Sequence, residues 1–284
     1  MREPHTGIVL GLHRSRYERD ALTSALDLGV HAIDTSFNYL GFRAHETLAK
    51  MAGDVLPKFH VSTKVGYFPS AGGAEHSLDP GRLRSALEQT NRDLGHVPDL
   101  VFLHNPEHSL RGDSRRAAQT LAEACAALEG ATKDGLCGSW GIASWDPRPL
   151  LNLVGTATPM PAVLMVRAGL LVRIDVLDAS EELAAQWGLS SQSVWGMSPF
   201  CGDASDEVWS RFDPRLFLKD SAGEPSRVQA AFRAAYQLPQ VNLVAVGSDN
   251  PAHLYELTQA LRYEVDTEKI LSYRGLLRAQ GVTS

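Results

Sequence analysis

Asp34 and Tyr39 in HAIDTSFNY, Lys64 in FHVSTKV and His104 in DLVFLHN stand at the ends of three successive strand-like runs. An unperturbed phenol titrates near 10, too high for a good proton donor at neutral pH. A neighbouring ammonium stabilises the phenolate and lowers that value. A carboxylate beside the ammonium keeps the lysine charged and oriented. With a histidine to hydrogen-bond a carbonyl oxygen, the four residues form a proton donor aimed at that oxygen, and the chemistry indicated is carbonyl reduction. No side chain supplies a hydride, so this reading requires a nicotinamide cofactor. Taken singly, each residue has a plainer role: a loop Asp caps a helix, a Lys is solvated, a His or Tyr packs. Their joint placement at the ends of consecutive strands carries the argument.

The elements that must hold these residues follow from the hydrophobic pattern. Eight short runs rich in Val, Ile and Leu fall at 7–12, 31–36, 60–65, 100–105, 138–144, 162–168, 193–200 and 242–248. Each is followed by a turn or a helix start, the signature of repeated βα units and a parallel sheet. Between them lie ERDALTSALDLG, AHETLAKMAG and a long alanine-rich stretch from Ser114 to Lys133. Asp79 with Pro80 behind it reads as an N-cap with proline at the first helical position, Gly95 reads as the stop, and Asn250 with Pro251 repeats the start signal. The pattern predicts a (β/α)8 barrel as a single domain over residues 1–284. A long loop follows the seventh strand, from Cys201 to Ser226, and DTEKILSYRGLLRAQ forms one extra helix at the end. The loop carries Trp209, Phe212 and Phe217 and is expected to act as a lid.

Composition excludes several classes. In 284 residues, 44% are hydrophobic and 21% charged, and no apolar run approaches the roughly 20 residues of a membrane-spanning helix. The net charge of -6, without a Lys/Arg block, gives no reason to expect nucleic acid or an anionic membrane as partner. A small-molecule substrate is expected; the oligomeric state is left open. Cys125, Cys137 and Cys201 are odd in number and widely spaced, which fits a reducing compartment. The N-terminal stretch lacks the apolar core of a signal peptide, so the expected location is the cytoplasm. There is no GxGxxG after the first strand, no phosphate-loop motif and no GxSxG elbow. Pro106 interrupts the His104 and His108 pair, and no metal site is expected.

AIDTSFNY followed by AHETLAK, then STKVG, DLVFLHNP and GSWGIASW, resembles the aldo-keto reductase superfamily in order and approximate spacing across nearly the whole chain. The resemblance implies a (β/α)8 barrel and NAD(P)H-dependent reduction of a ketone or aldehyde. It makes Tyr39 the general acid, Lys64 and Asp34 the groups that tune it, and His104 the group that orients the carbonyl. It also implies a cofactor site drawn from Ser144, Met165, Ser198, Pro199, Phe200, Gly247, Ser248, Asn250, His253 and Glu256. Here the chain departs from the pattern: Trp145 replaces an Asn after Ser144, Met165 replaces a Gln, and Met197 replaces a stacking aromatic. Either the cofactor is held differently, with Trp145 or Trp195 supplying the ring contact, or it is held weakly. At the adenosine end VAVGSDNPAHLYEL offers Asp249 and His253 where NADPH-preferring members carry Lys or Arg. The cofactor is therefore NADPH or NADH, with Asp249 favouring tolerance of NADH. Asn250 has a plainer reading as a simple helix cap. The substrate side is expected to include Tyr67, Phe68, His108 and Trp145, facing a sugar-like or secondary-metabolite carbonyl.

Two rival readings stay open on the same residues. An enzyme of elimination or isomerisation needs only the proton donor and a base. A cofactor-sensing binding subunit needs no tuned acid, and the retained four polar residues speak against it.

Overall fold

A computed structural model describes residues 7–220 and 223–281; Ser221 and Ala222 of the long loop and the first six residues of the N-terminal stretch lie outside them. Eight parallel strands close into a barrel. They are β1 (Ile8–Gly11), β2 (Ala32–Asp34), β3 (His60–Val65), β6 (Leu100–His104), β7 (Ser139–Ser144), β8 (Val163–Arg167), β9 (Val194–Met197) and β10 (Leu243–Val246), with β10 pairing back onto β1. Every one of the eight runs read from the sequence is a barrel strand. The remaining two strands, β4 (Tyr67–Ser70) and β5 (Gly73–His76), form an antiparallel hairpin over the mouth that the hydrophobic pattern did not reveal.

Helices α1 (Arg19–Asp27), α2 (Ala44–Ala52), α3 (Pro80–Leu94), α4 (Ser114–Lys133), α5 (Ile174–Gln186), α6 (Val208–Arg211), α7 (Arg227–Ala234), α8 (Pro251–Ala260) and α9 (Thr267–Gly281) surround the strands. The start signals work as chemistry dictates. Asp79 accepts from the Arg82 amide at 2.8 Å, Asn250 accepts from the Ala252 amide at 2.9 Å, and Gly95 ends α3 at φ 62°. After β7 the chain makes only a short 3-10 turn, Arg148–Leu150, where Pro147 and Pro149 deny a longer helix its amide donors.

Strand alternation sorts the side chains. Ala32, Phe102, Ala143, Met165 and Ala245 pack inside the barrel, while Ile33, Val61, Leu103 and Ile142 face the helices. The interior leaves no room at Gly141, where a Cβ would lie 2.9 Å from the Phe102 ring. The expected lid is mostly a second core. Trp209, Phe212 and Phe217 pack with Leu170, Tyr263 and Tyr273 against α7 and α9, because three large aromatic faces gain more by burial there than over a water-filled mouth. Among the described residues no helix is long and apolar enough to cross a membrane.

Candidate active site

The strand register builds the site. Asp34 lies level with Ser62, and Ser62 with Leu100. Each strand is therefore stepped along its neighbour, as a tilted barrel requires. Inward-facing Asp34, Ser62, Lys64 and His104 consequently rise around the C-terminal mouth as a staircase. Lys64 donates to Asp34 Oδ2 in a short ion pair and to the Thr35 carbonyl at 3.1 Å. The second carboxylate oxygen of Asp34 accepts from the Ser62 hydroxyl at 2.9 Å. Both side chains are buried, at 3% and 7% exposure, and each meets the opposite charge of its partner together with neutral hydrogen bonds.

Tyr39 reaches back over this pair from the loop after β2. Leu40, Gly41 and Phe42 all take left-handed backbone angles, which folds the loop sharply at the tyrosine. The Lys64 ammonium lies 5.5 Å from the centre of its ring, and His13 packs edge-on at 4.8 Å. Burial raises the Tyr39 pKa; the charge and hydrogen bond of Lys64 pull it back, but the net direction is upward. The sequence expectation of a lowered phenol thus has the right agent and the wrong net sign, because desolvation of the half-buried ring outweighs one ammonium that Asp34 already neutralises. Burial also disfavours the charged form of Lys64, yet Asp34 and Tyr39 more than reverse it, and the lysine stays protonated.

His104 completes the group. Burial, then the Lys64 charge, holds its imidazole well below the ordinary 6.5, so it is neutral. Its Nδ1 lies 3.1 Å from the Ser36 hydroxyl, which donates to Asn38 Oδ1 at 2.7 Å. The hairpin fixes the place of Tyr67 and adds His76, which the sequence pattern does not single out. Tyr67 contacts the His104 ring edge-on at 4.9 Å and hydrogen-bonds His108 Nδ1 at 2.5 Å; His76 donates from Nε2 to the His104 carbonyl at 2.8 Å. Gly72 between the two short strands and Gly73 at the start of β5 are the available sign of this hairpin.

A cavity of about 520 Å³ runs from this group across the mouth. Of the residues expected to hold a cofactor, Met165, Ser198, Pro199, Phe200, Gly247 and Ser248 border it. Four do not. Ser144 is fully buried and lies on the outward side of β7, next to inward-facing Ala143, so alternation turns it away from the mouth. Asn250 is spent on its helix cap, as its plainer reading had it. His253 is exposed on α8. Glu256 accepts from the Ser226 hydroxyl at 2.5 Å and so braces the start of α7. Trp195 sits deep in the barrel against Phe102 and is likewise away from the mouth, and buried Phe68 stacks under Arg82. Trp145, 43% exposed, does border the cavity. Its amide donates to buried Glu107 at 2.8 Å, and its carbonyl accepts from Arg167, whose guanidinium lies 5.2 Å from the indole.

Asp249 is differently employed than expected. Its carboxylate accepts from the Ser15 hydroxyl at 2.6 Å and from the Arg16 amide at 2.8 Å, tying the loop after β1 to the loop after β10. Arginines are also at hand: Arg14 borders the cavity and the Arg16 guanidinium lies 3.7 Å from Asp249. The expectation that no basic residue stands near this end is corrected, since both come from a loop distant in sequence. Among the described residues no cluster of His, Cys, Asp or Glu is arranged to hold a metal ion.

The model of the aldo/keto reductase family matches residues 13–194, more than half of the chain. No curated protein matches. Among solved structures, an aldo-keto reductase of Bacillus halodurans in its holo form is 18% identical, with 95% of this chain and 91% of that one covered and a TM-score of 0.71. An aldo-keto reductase of Klebsiella pneumoniae in complex with NADPH is 20% identical over 95% and 90%, with a TM-score of 0.67. The aldose reductase of Schistosoma japonicum is 16% identical over 96% and 92%, with a TM-score of 0.68.

Proposed function

Since the chain belongs to the aldo/keto reductase family, we propose that it is an NAD(P)H-dependent oxidoreductase that interconverts a ketone or aldehyde with the alcohol, using Tyr39 as proton donor. The observation that carries this reading is the buried Asp34–Lys64 pair set beneath the Tyr39 ring, next to a neutral His104. Burying an ion pair seldom stabilises a fold by itself. Its use is electrostatic: a fixed positive charge beside a phenol favours the phenolate that remains once the proton has left.

A dinucleotide fits the cavity in two respects. Ala143, Met165, Met197 and Ala245 offer an apolar floor for a flat ring, and Arg14 with Ser248 offers a polar, positively charged end for phosphate. The amide contacts common at the nicotinamide end are replaced by Trp145, locked in place by Glu107 and Arg167. When bound, the cofactor supplies the hydride to carbonyl carbon or accepts it from the alcohol. Tyr39 gives its proton to the oxygen as negative charge develops there. Lys64 limits the cost of the resulting phenolate, Asp34 and Ser62 keep Lys64 aimed, and His104 fixes the angle of the oxygen. Tyr67 and Trp145 border the space left for substrate, so a polar, sugar-like or aromatic-bearing carbonyl is the class proposed.

NADPH and NADH both remain within this proposal, and Arg14, which borders the cavity, supplies a phosphate partner that favours NADPH. Met165 and Met197 offer no hydrogen bond to a nicotinamide amide, and this favours one rival, an elimination or isomerisation that uses the same acid without hydride. Tyr39→Phe separates folding from chemistry. Carbonyl turnover is expected to fall about a hundredfold or more with the melting temperature unchanged. Undiminished turnover in that variant would remove Tyr39 from the role.

A further inference from the structure

We infer that Asn38 fixes which nitrogen of His104 carries the proton, and so sets whether His104 accepts from an alcohol or donates to a carbonyl. The consequence for turnover rests on the function proposed above; the tautomer itself does not.

The link runs through one hydroxyl. Ser36 is fully buried, and its Oγ lies 2.7 Å from Asn38 Oδ1, 3.1 Å from His104 Nδ1 and 3.3 Å from the Lys64 carbonyl. A serine hydroxyl has one proton to give. Two of the three neighbours are oxygens that only accept, and the nearest is Oδ1. With the proton directed there, Oγ can only accept from the imidazole, so Nδ1 carries the hydrogen. A neutral imidazole has a single N–H, which leaves a lone pair on Nε2. That lone pair receives the O–H of an alcohol and has nothing to offer a carbonyl oxygen. The arrangement in the structure is therefore matched to the hydroxyl form of the substrate.

Turning the Asn38 amide by 180° inverts the chain. Its NH₂ then donates to Ser36 Oγ, the Ser36 proton turns to Nδ1 at 3.1 Å, the nearer of its two remaining acceptors, with the Lys64 carbonyl at 3.3 Å, and Nε2–H becomes a donor to a carbonyl. Asn38 is free to turn in this way. It is half-buried, it borders the cavity, and Ser36 is its sole side-chain hydrogen-bond partner among the described residues. A side chain with two different ends, outside the reacting group but joined to it by one hydroxyl, suits a site that must hold the same oxygen in two oxidation states. Asn38 is thus a positioning residue.

The test is nitrogen NMR of histidine-labelled protein, with His104 assigned by difference against His104→Asn. Wild type is expected to be protonated at Nδ1. Asn38→Leu leaves Ser36 two acceptors, Nδ1 at 3.1 Å and the Lys64 carbonyl at 3.3 Å; the nearer, Nδ1, is expected to take the hydroxyl proton and so move the imidazole hydrogen to Nε2. Ser36→Ala removes the hydroxyl that accepts from Nδ1–H, which withdraws the bond favouring that tautomer, and is expected to shift the proton towards Nε2 as well, which covers the case that the leucine variant fails to fold. An Nε2 proton in wild type, or one tautomer common to wild type and both variants, overturns the inference. In turnover, Asn38→Leu is expected to raise the KM for alcohol about tenfold relative to that for carbonyl, the effect of one hydrogen bond. A tautomer that switches while that ratio stays constant supports the Asn38 assignment and counts instead against His104 touching the reacting oxygen.

Discussion

The two halves of the barrel mouth are built on different principles. On the side of β2, β3 and β6 the charged and polar side chains of the site are tied to one another and to nearby backbone: Asp34 with Lys64 and Ser62, Lys64 with Thr35, His104 with Ser36. On the side of β7 to β10 the inward-facing wall of the cavity is Ala143, Met165, Met197 and Ala245, with Ser198, Ser248 and Asp249 in the loops beyond the strands. The first half is a preorganised charge distribution in which each member depends on its neighbours. The second is an apolar surface that offers few directional contacts. The difference teaches where substitutions are costly: in the first half one change strands a buried charge, and in the second it alters fit.

The largest expected effect comes from breaking the first half at its centre. Lys64→Met leaves Asp34 buried without its ammonium and is expected to cost about 3–5 kcal/mol of stability along with nearly all turnover, measured by denaturant unfolding and a carbonyl assay. A stability change under about 1 kcal/mol would mean that the pair is more solvated than its exposure indicates.

Acid sharpens the same contrast. His45, buried behind β3 and bonded to Thr63 at 2.8 Å, is pushed down by burial to about 4 from an ordinary 6.5. The unfolded chain therefore takes up a proton near 6.5 while the folded chain does not, and stability falls as pH drops from about 6.5 towards 4. The full effect, below 4, is about 3 kcal/mol. His104, also lowered, acts in the same direction. His45→Gln is expected to flatten the stability profile across that window, and an unchanged slope would place the acid sensitivity elsewhere.

In the second half the effects are smaller. Asp249→Ala is expected to release the loop after β1 and cost about 1–3 kcal/mol, with a modest change in cofactor affinity. If the variant instead keeps its stability and loses only NADH affinity, the carboxylate serves the ribose and not the loop.

The contrast also explains what was legible in the sequence. Strand runs follow from hydrophobic pattern, and Asp34, Lys64 and His104 occupy inward positions at strand ends, where alternation and register leave little freedom. Ser144 was misplaced although the same rule covers it: next to inward-facing Ala143, it has to point outward. Asp249, Arg14 and Arg16 were not legible in the same way. Their meeting depends on how two loops, far apart in sequence, pack across the β1–β10 seam. The hairpin that brings Tyr67 and His76 over the mouth lacks an apolar strand pattern, since three of its four residues in β5 are exposed. The net rise in the Tyr39 pKa required knowledge of its burial, which spacing does not give.

The most direct test of the central claim, a hydride-transfer site on this barrel mouth, is titration of the purified protein with NADPH and with NADH, following quenching of tryptophan fluorescence. Trp145, exposed and bordering the cavity, is placed to report occupancy. Saturable quenching by one or both nucleotides, retained in Tyr39→Phe, is the predicted result. Absence of quenching by both, in protein whose fold is intact, would contradict the claim and leave the same four residues to acid-base chemistry alone.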